Sequence, residues 1–363
     1  MRIGIVDLYC GQSGKEGYYN SQEIGLAKAF AHLGNDCIIF KPDIEGHITQ
    51  EERVTENVLL VSVPAKNLGV HSRFSWKILL KYQLDMVQIN SDNQIFAPEL
   101  SRFCKQHKIR QYHYLGTTGS DAATGMKAGI MKLLYKRNIA MLKRVPCFAK
   151  TQSVKNRLKS IGIEKIELAP VGLDLAVIPD VENDKDQLRK QLYLQQNRRL
   201  ILYVGRMEAY KHPLEAVDLM KTLPENYDMV MIGTGTMDNL VKEKIETYGF
   251  TQRVKRIYKV PNQEIHKYYR AADYFVNFNP NEIFGMSILE AMWQGCTVIA
   301  YHAPGPDFIL KDKNVGYLID NLTDMRNVLV KNEKVNSKYE REYIKTQFTW
   351  EKTAEIILKG MEA

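Results

Sequence analysis

The chain has 363 residues, of which 45% are hydrophobic and 25% charged, and it carries a formal charge of +8 at pH 7. Such a length supplies two domains with a core each, and such a composition is that of an ordinary globular protein. The positive balance favours an anionic partner, whether nucleotide, membrane surface or nucleic acid, without choosing among them. No apolar run approaches the roughly eighteen residues needed to cross a bilayer, and the N-terminus enters a strand with no signal-type segment, so a cytoplasmic location is expected. Cys10, Cys37, Cys104, Cys147 and Cys296 form no C-x-x-C pair, which argues against a zinc site or a disulfide framework.

Ile3 to Leu8 reads as a strand that breaks into a loop containing Gly11, Gly14 and Gly17; a helix follows from Ser21 to Leu33, Gly34 ends it, and Cys37 to Phe40 restores a strand. This β-loop-α-β unit opens a parallel, doubly wound sheet, with the glycine loop at the carboxyl end of the first strand, where such sheets bind ligands. The spacing G-x-x-G-x-x-G is not the dinucleotide fingerprint, so the loop suits phosphate or acceptor contact, with plain turn-making as the competing reading. Further strands are expected at Val58 to Val63, Met86 to Ile89 and Arg110 to Leu115. The last places His113 near a carboxyl edge, where functional groups collect, although a lone strand histidine is more often a packed structural residue.

Met126 to Arg144 mixes apolar residues with Lys127, Lys132, Lys136, Arg137, Lys143 and Arg144. A basic amphipathic helix of this kind can lie on an anionic membrane, and an ordinary solvated surface helix is the competing reading. The stretch from about Gly172 to Asp186 reads as an inter-domain connection. A second series of strands and helices then begins at Leu200 to Val204, followed by Gly205-Arg206 and, five residues on, Lys211. Two cations in a strand-to-helix loop suit a diphosphate, Arg206 as a planar fork and Lys211 as a mobile point charge.

Gly233 and Gly235 stand at another strand end, and Tyr274 to Phe278 is a strand leading into NPNEIFGMSILEAMWQG, residues 279–295. That segment reads as a polar turn and a buried helix closed by Gly295. Glu282 and Glu290 bracket the turn, and the amides of Phe284, Gly285 and Met286 would project from a helix N-terminus, a place that attracts phosphate. Ser287 and Glu290 also fit a capping box that does no chemistry. A helix from Trp350 to Met361 closes the sequence.

The order of these motifs resembles the retaining glycosyltransferases of family 4, most strongly from Ile201 to Leu318. Val204-Gly-Arg-Met…Lys211 is similar to the family's G-R-x-x-x-x-K segment, Ile232-Gly-Thr-Gly235 to its I-G-x-G turn, and Asn281-Glu-Ile-Phe-Gly-Met-Ser-Ile-Leu-Glu-Ala-Met to its E-x(7)-E signature. Ala169-Pro-Val-Gly-Leu-Asp174 resembles the motif that ends the first domain. Asn279, Ile283, Asp307 and Tyr258 depart from the residues usual at their places.

The resemblance implies the GT-B fold, in which two Rossmann-like α/β domains face each other across a cleft: residues 1–172 on the acceptor side and 187–346 on the nucleotide-sugar side, with a helix at about 347–363 packing back on the first. It implies that Arg206 and Lys211 neutralise the donor diphosphate, that Glu290 holds the ribose, and that Glu282 and His113 act on the donor sugar. Phe284, Gly285, Met286 and Gly233 would complete the donor site, and Gly11, Gly14 and Gly17 would form the N-terminal loop. The implied reaction moves a sugar, with retention, from a nucleotide donor, a UDP-sugar foremost, to a saccharide or lipid-linked acceptor in surface polysaccharide or glycoconjugate synthesis. No D-x-D cluster is placed to hold a metal, so no cofactor or metal is expected. A non-catalytic GT-B partner protein and a GT-B phosphorylase or epimerase are the alternatives. A nicotinamide dehydrogenase is disfavoured by the missing fingerprint, and nucleic-acid binding rests on charge alone.

Overall fold

Ile3, Ile5 and Val6 are fully buried in the first strand, as are Ile201 and Leu202 in the first strand of the second half. Strands apolar on both faces form parallel sheets covered by helices on each side. The computed structural model describes residues 1–11, 22–91, 94–116, 126–179, 181 and 184–362, without the side chains of 126–132. It divides into two units, Met1–Gly172 with Thr349–Ala363, and Leu173–Phe348.

The first unit runs β1 (Arg2–Asp7), α1 (Gln22–His32), β2 (Asp36–Asp43), β3 (Gln50–Thr55), β4 (Val58–Pro64), β5 (Lys66–Leu68), β6 (His71–Arg73), β7 (Met86–Asn90), α2 (Ala97–Gln106), β8 (Arg110–Leu115), α3 (Met126–Leu142), β9 (Cys147–Ala149), α4 (Gln152–Ser160) and β10 (Ile166–Leu168). Among the described residues its main sheet has eight strands in the order β10-β9-β8-β7-β1-β2-β4-β3. Every pairing is parallel except β3 with β4. Strand β3, Gln-Glu-Glu-Arg-Val-Thr, is the exposed edge, and its charges keep that edge from pairing further. In α3, Leu133, Lys136 and Arg137 are exposed, while Asn138 and Leu142 are buried; the Arg137 guanidinium donates to the Ile95 carbonyl.

The second unit runs α5 (Lys185–Gln191), β11 (Arg199–Val204), α6 (Pro213–Thr222), β12 (Tyr227–Ile232), α7 (Asp238–Thr247), β13 (Val254–Ile257), α8 (Asn262–Ala271), β14 (Tyr274–Asn277), α9 (Met286–Trp293), β15 (Thr297–Tyr301), α10 (Pro304–Ile309), β16 (Tyr317–Ile319), α11 (Leu322–Lys331) and α12 (Ser337–Gln347). Its described sheet is a six-stranded parallel one, β13-β12-β11-β14-β15-β16. The chain then returns to the first unit as α13 (Trp350–Glu362), whose Trp350 ring lies where a side chain on Gly25 of α1 would be. Among the described residues no helix is long and apolar enough to cross a membrane.

Candidate functional site

In the second unit the strand order reverses between β11 and β14, which neighbour each other although β12 and β13 intervene in sequence. Loops leaving such a pair diverge and open a crevice at the carboxyl ends of the strands. Both motif-bearing loops leave from there: Gly205 to Lys211 after β11, and Phe278 to Gly285 after β14.

The β11 loop is stapled to the β12 loop by backbone hydrogen bonds from Gly205 to Ile232 (3.0 Å) and from Met207 to Thr234 (2.9 Å). Gly233 is needed where they cross. Its φ is +133°, and a Cβ there would lie 2.0 Å from the Gly205 carbonyl oxygen. Arg256 braces this crossing by donating to the carbonyls of Met231 and Gly233, each at 2.9 Å, and to Asp238 at 2.7 Å. On the loop itself the Arg206 guanidinium stands 5.5 Å from the centre of the Tyr210 ring and donates to its hydroxyl. The Lys211 ammonium is also 5.5 Å from that ring, so Tyr210 gathers both cations.

Lys211 closes the link to the second loop, its Nζ lying 2.5 Å from Glu282 Oε2. The same oxygen accepts from Asn279 Nδ2 at 3.2 Å and from Asn277 Nδ2 at 3.5 Å. Asn277 and Asn279 also cap the turn, accepting the Asn279 and Asn281 N–H groups on their side-chain oxygens. Charge-assisted hydrogen bonds from three donors hold the Glu282 carboxylate in one orientation.

Helix α9 begins at Gly285, which takes the N-cap position at φ +98° with no side-chain cap. Ser287 is therefore the second helical residue, and the capping box that Ser287 and Glu290 resemble in sequence does not form. The first amides of α9 lack intrahelical acceptors by geometry, and the Met286 N–H is among them. Phe284 turns its ring inward, 6.3 Å from the Phe348 ring, and so offers this site only its backbone. Glu290, on the second turn of α9, is buried at 7% exposure.

Sequence reasoning placed Arg206, Lys211, Gly233, Glu282, Phe284, Gly285, Met286 and Glu290 in one site; Gly233 lies on the β12 loop that crosses the β11 loop, and the others belong to the second unit's switch point or the helix leaving it. It missed Tyr210, Asn277 and Asn279, whose partners lie within five residues but form no recognisable motif, and Arg256, whose partners are set by strand register. His113 lies in the first unit, and its placement differs from the sequence expectation. It is the fourth residue of β8, paired with Ile89 and Cys147 inside the sheet rather than at its edge. Its ring has no exposed surface, and neither nitrogen has a hydrogen-bond partner. Burial pushes its pKa down to about 3, so the imidazole is neutral. Gly11 ends the described stretch after β1, and Gly14 and Gly17 lie outside the described residues. Among the described residues no cluster of three or more His, Cys, Asp or Glu is gathered to hold a metal.

Residues 184–342 match the family described as glycosyl transferases group 1. The D-inositol 3-phosphate glycosyltransferase of Xylanimonas cellulosilytica is 30% identical over 45% of this chain and 41% of its own length. The alpha-monoglucosyldiacylglycerol synthase of Streptococcus pneumoniae is 25% identical over 67% of this chain and 57% of its own. The chain thus spans about half the length of these relatives. HepE from Anabaena, solved in complex with UDP-glucose, superposes with a TM-score of 0.73 over 100% of this chain and 99% of that one, at 15% identity. The chain therefore has the GT-B fold of the solved glycosyltransferases, and its residues 184–342 are similar to the group 1 glycosyl transferases.

Proposed function

We infer that the protein is a glycosyltransferase that moves a sugar from a nucleotide-diphosphate donor, foremost a UDP-sugar, to a saccharide or glycolipid acceptor with retention of configuration. The observation that carries this reading is the convergence of Arg206, the Lys211–Glu282 pair and the uncapped N-terminus of α9 on one switch point. Two cations and a row of amides match a diphosphate, and they are already in place when negative charge grows on it as the bond to the anomeric carbon breaks. Such a set can stabilise the leaving group without a metal ion. In this reading Glu282, fixed by Lys211, Asn277 and Asn279, meets the donor sugar, and Glu290 meets the ribose. The reading is supported by the group 1 match and by the UDP-glucose complex of the similarly folded HepE. The names of the two relatives favour a phosphorylated polyol or a glycolipid as the kind of acceptor. His113 is left out of the proposed machinery because its ring is sealed in the sheet.

Thermal melts of the purified protein with UDP, GDP, ADP and CDP test the reading, with a Lys211→Ala, Glu290→Ala double variant alongside. Ligand that binds the native state alone raises its apparent stability. UDP is expected to raise the melting temperature of the wild type and to leave the variant unmoved. No shift with any nucleotide at millimolar concentration would refute a donor site at this switch point.

A further inference from the structure

Between Arg206 and Lys211 stand four residues, Met207 to Tyr210, that the G-R-x-x-x-x-K pattern leaves open. The last of them is a tyrosine, placed directly before the lysine. Its surroundings give it work that the pattern does not assign.

The turn that carries Tyr210 is clamped by groups other than the two cations. Glu208 accepts the Thr236 N–H at 3.2 Å on one carboxylate oxygen and the Thr236 hydroxyl at 2.7 Å on the other. The Lys211 N–H donates to the Glu208 carbonyl at 2.9 Å, and the Tyr203 hydroxyl donates to the Lys211 carbonyl at 3.1 Å. Ala209–Lys211 are thereby wound into one turn of 3-10 helix. The ring of Tyr210 is presented by this backbone, and the cations lean on it.

Arg206 gains most from that support. Its side chain is exposed, and a long exposed side chain samples many rotamers that a ligand would have to freeze. The Tyr210 ring offers the guanidinium a face at 5.5 Å and an oxygen to donate to, and it holds the Lys211 ammonium at the same 5.5 Å. Two like charges that repel each other are so kept in one place before any anion arrives.

The hydroxyl keeps a donor in reserve. A phenol donates one hydrogen bond and accepts others, and this oxygen accepts from Arg206, a contact that leaves its own proton free to donate. Burial raises its pKa above the ordinary 10, Arg206 opposes the rise and Glu282 adds to it, so the proton is present at neutral pH. At 39% exposure the side chain is open to a ligand.

We propose that Tyr210 is a donor-site residue in its own right: its ring positions Arg206 and Lys211 as one anion clamp, and its hydroxyl donates to the diphosphate. Through this side chain the site tells a nucleoside diphosphate from the bare nucleoside. The role rests on the transferase reading for the identity of its ligand.

Calorimetric titration with UDP, NMR titration with uridine, and melts without ligand test the role on the full chain carrying Tyr210→Phe or Tyr210→Leu. Phenylalanine keeps the ring and loses the donor, and it is expected to weaken UDP about fivefold. Leucine loses both, and a weakening of about thirtyfold is expected. Uridine affinity should change less than about twofold in either variant, and the ligand-free melting temperature by less than about 2 °C, because the side chain is partly exposed. In an Arg206→Ala background Tyr210→Leu should weaken UDP by no more than about tenfold, since one of the groups it positions is gone. UDP affinity within twofold of wild type in Tyr210→Leu would overturn the proposal. So would equal weakening of UDP and uridine, which makes Tyr210 a nucleoside contact, or an undiminished factor in the Arg206→Ala background. A phenylalanine variant that binds UDP as wild type does would remove the hydroxyl from the diphosphate. Wild-type protein that fails to bind UDP would refute the transferase reading itself, whereas wild-type binding unchanged in both variants strikes Tyr210 alone.

Discussion

His113 shows how burial decides a residue's chemistry. An imidazole with both nitrogens unpaired in a sheet interior pays the desolvation cost of a polar group and would pay far more as a cation. Its folded pKa, held down to about 3, therefore lies below the ordinary histidine value of 6.5. In the unfolded chain the ring takes a proton as pH falls through 6.5, while the folded protein refuses it until about 3. Stability is thus full above pH 6.5 and is lost progressively below it. His113→Leu is expected to flatten the fall in melting temperature between pH 7 and pH 4.5 while leaving any transferase activity in place. An unchanged acid slope together with lost activity would show that the ring does reach substrate. The same contrast holds in the donor site, where Lys211 and Glu282 are readable from sequence because charge in a strand-to-helix loop has few structural uses. Arg256 is not readable: its role lies in two carbonyls, those of Met231 and Gly233, that only the β12–β13 register brings within reach.

At the scale of elements, helix α9 turns on one residue. Gly285 sits at φ +98°, and a Cβ there would come within 2.9 Å of the Ile288 side chain. An L side chain at such a φ costs about 2 kcal/mol before any clash is counted. Gly285→Ala is expected to lower the melting temperature by about 5 °C. It should also weaken the UDP-dependent shift, because the first amides of α9 turn with the cap. A variant as stable as the wild type with a full UDP shift would remove these amides from the donor site. The start of this helix was only partly legible. Ser287 and Glu290 carry the pattern of a capping box, and only the left-handed backbone of Gly285, set by the tight exit from the Asn279–Glu282 turn, moves the cap two residues earlier. The apolar strands β1, β2, β11 and β14 were legible because burial on both faces leaves short continuous apolar runs. Strand β3 was not, since Gln50 to Thr55 is solvated on an edge and has no apolar pattern to read. The hairpin of β5 and β6 is too short, at three residues each, to show a period.

At the scale of the molecule, the two units carry opposite responses to pH. Glu340, on α12, has no exposed surface and no hydrogen-bond partner for either carboxylate oxygen. Burial raises its pKa from an ordinary 4.5 to about 9, with Lys185 the one charge that opposes the rise. The unfolded chain releases this proton above 4.5, whereas the folded unit keeps it to about 9. The contribution of the protonated side chain is therefore complete below pH 4.5 and is lost as pH climbs towards 9, the reverse of His113. His113 belongs to the first unit, and Glu340 and the donor residues belong to the second. Calorimetry can use these residues as labels. The transition that Glu340→Gln raises at pH 8 is expected to be the one that UDP raises, because both act on the second unit. The transition that His113→Leu protects at pH 5 belongs to the first unit and should ignore UDP. If UDP and Glu340→Gln raised different transitions, the nucleotide would be bound by the first unit, and the assignment of Arg206, Lys211 and Glu282 to a donor would fail with it.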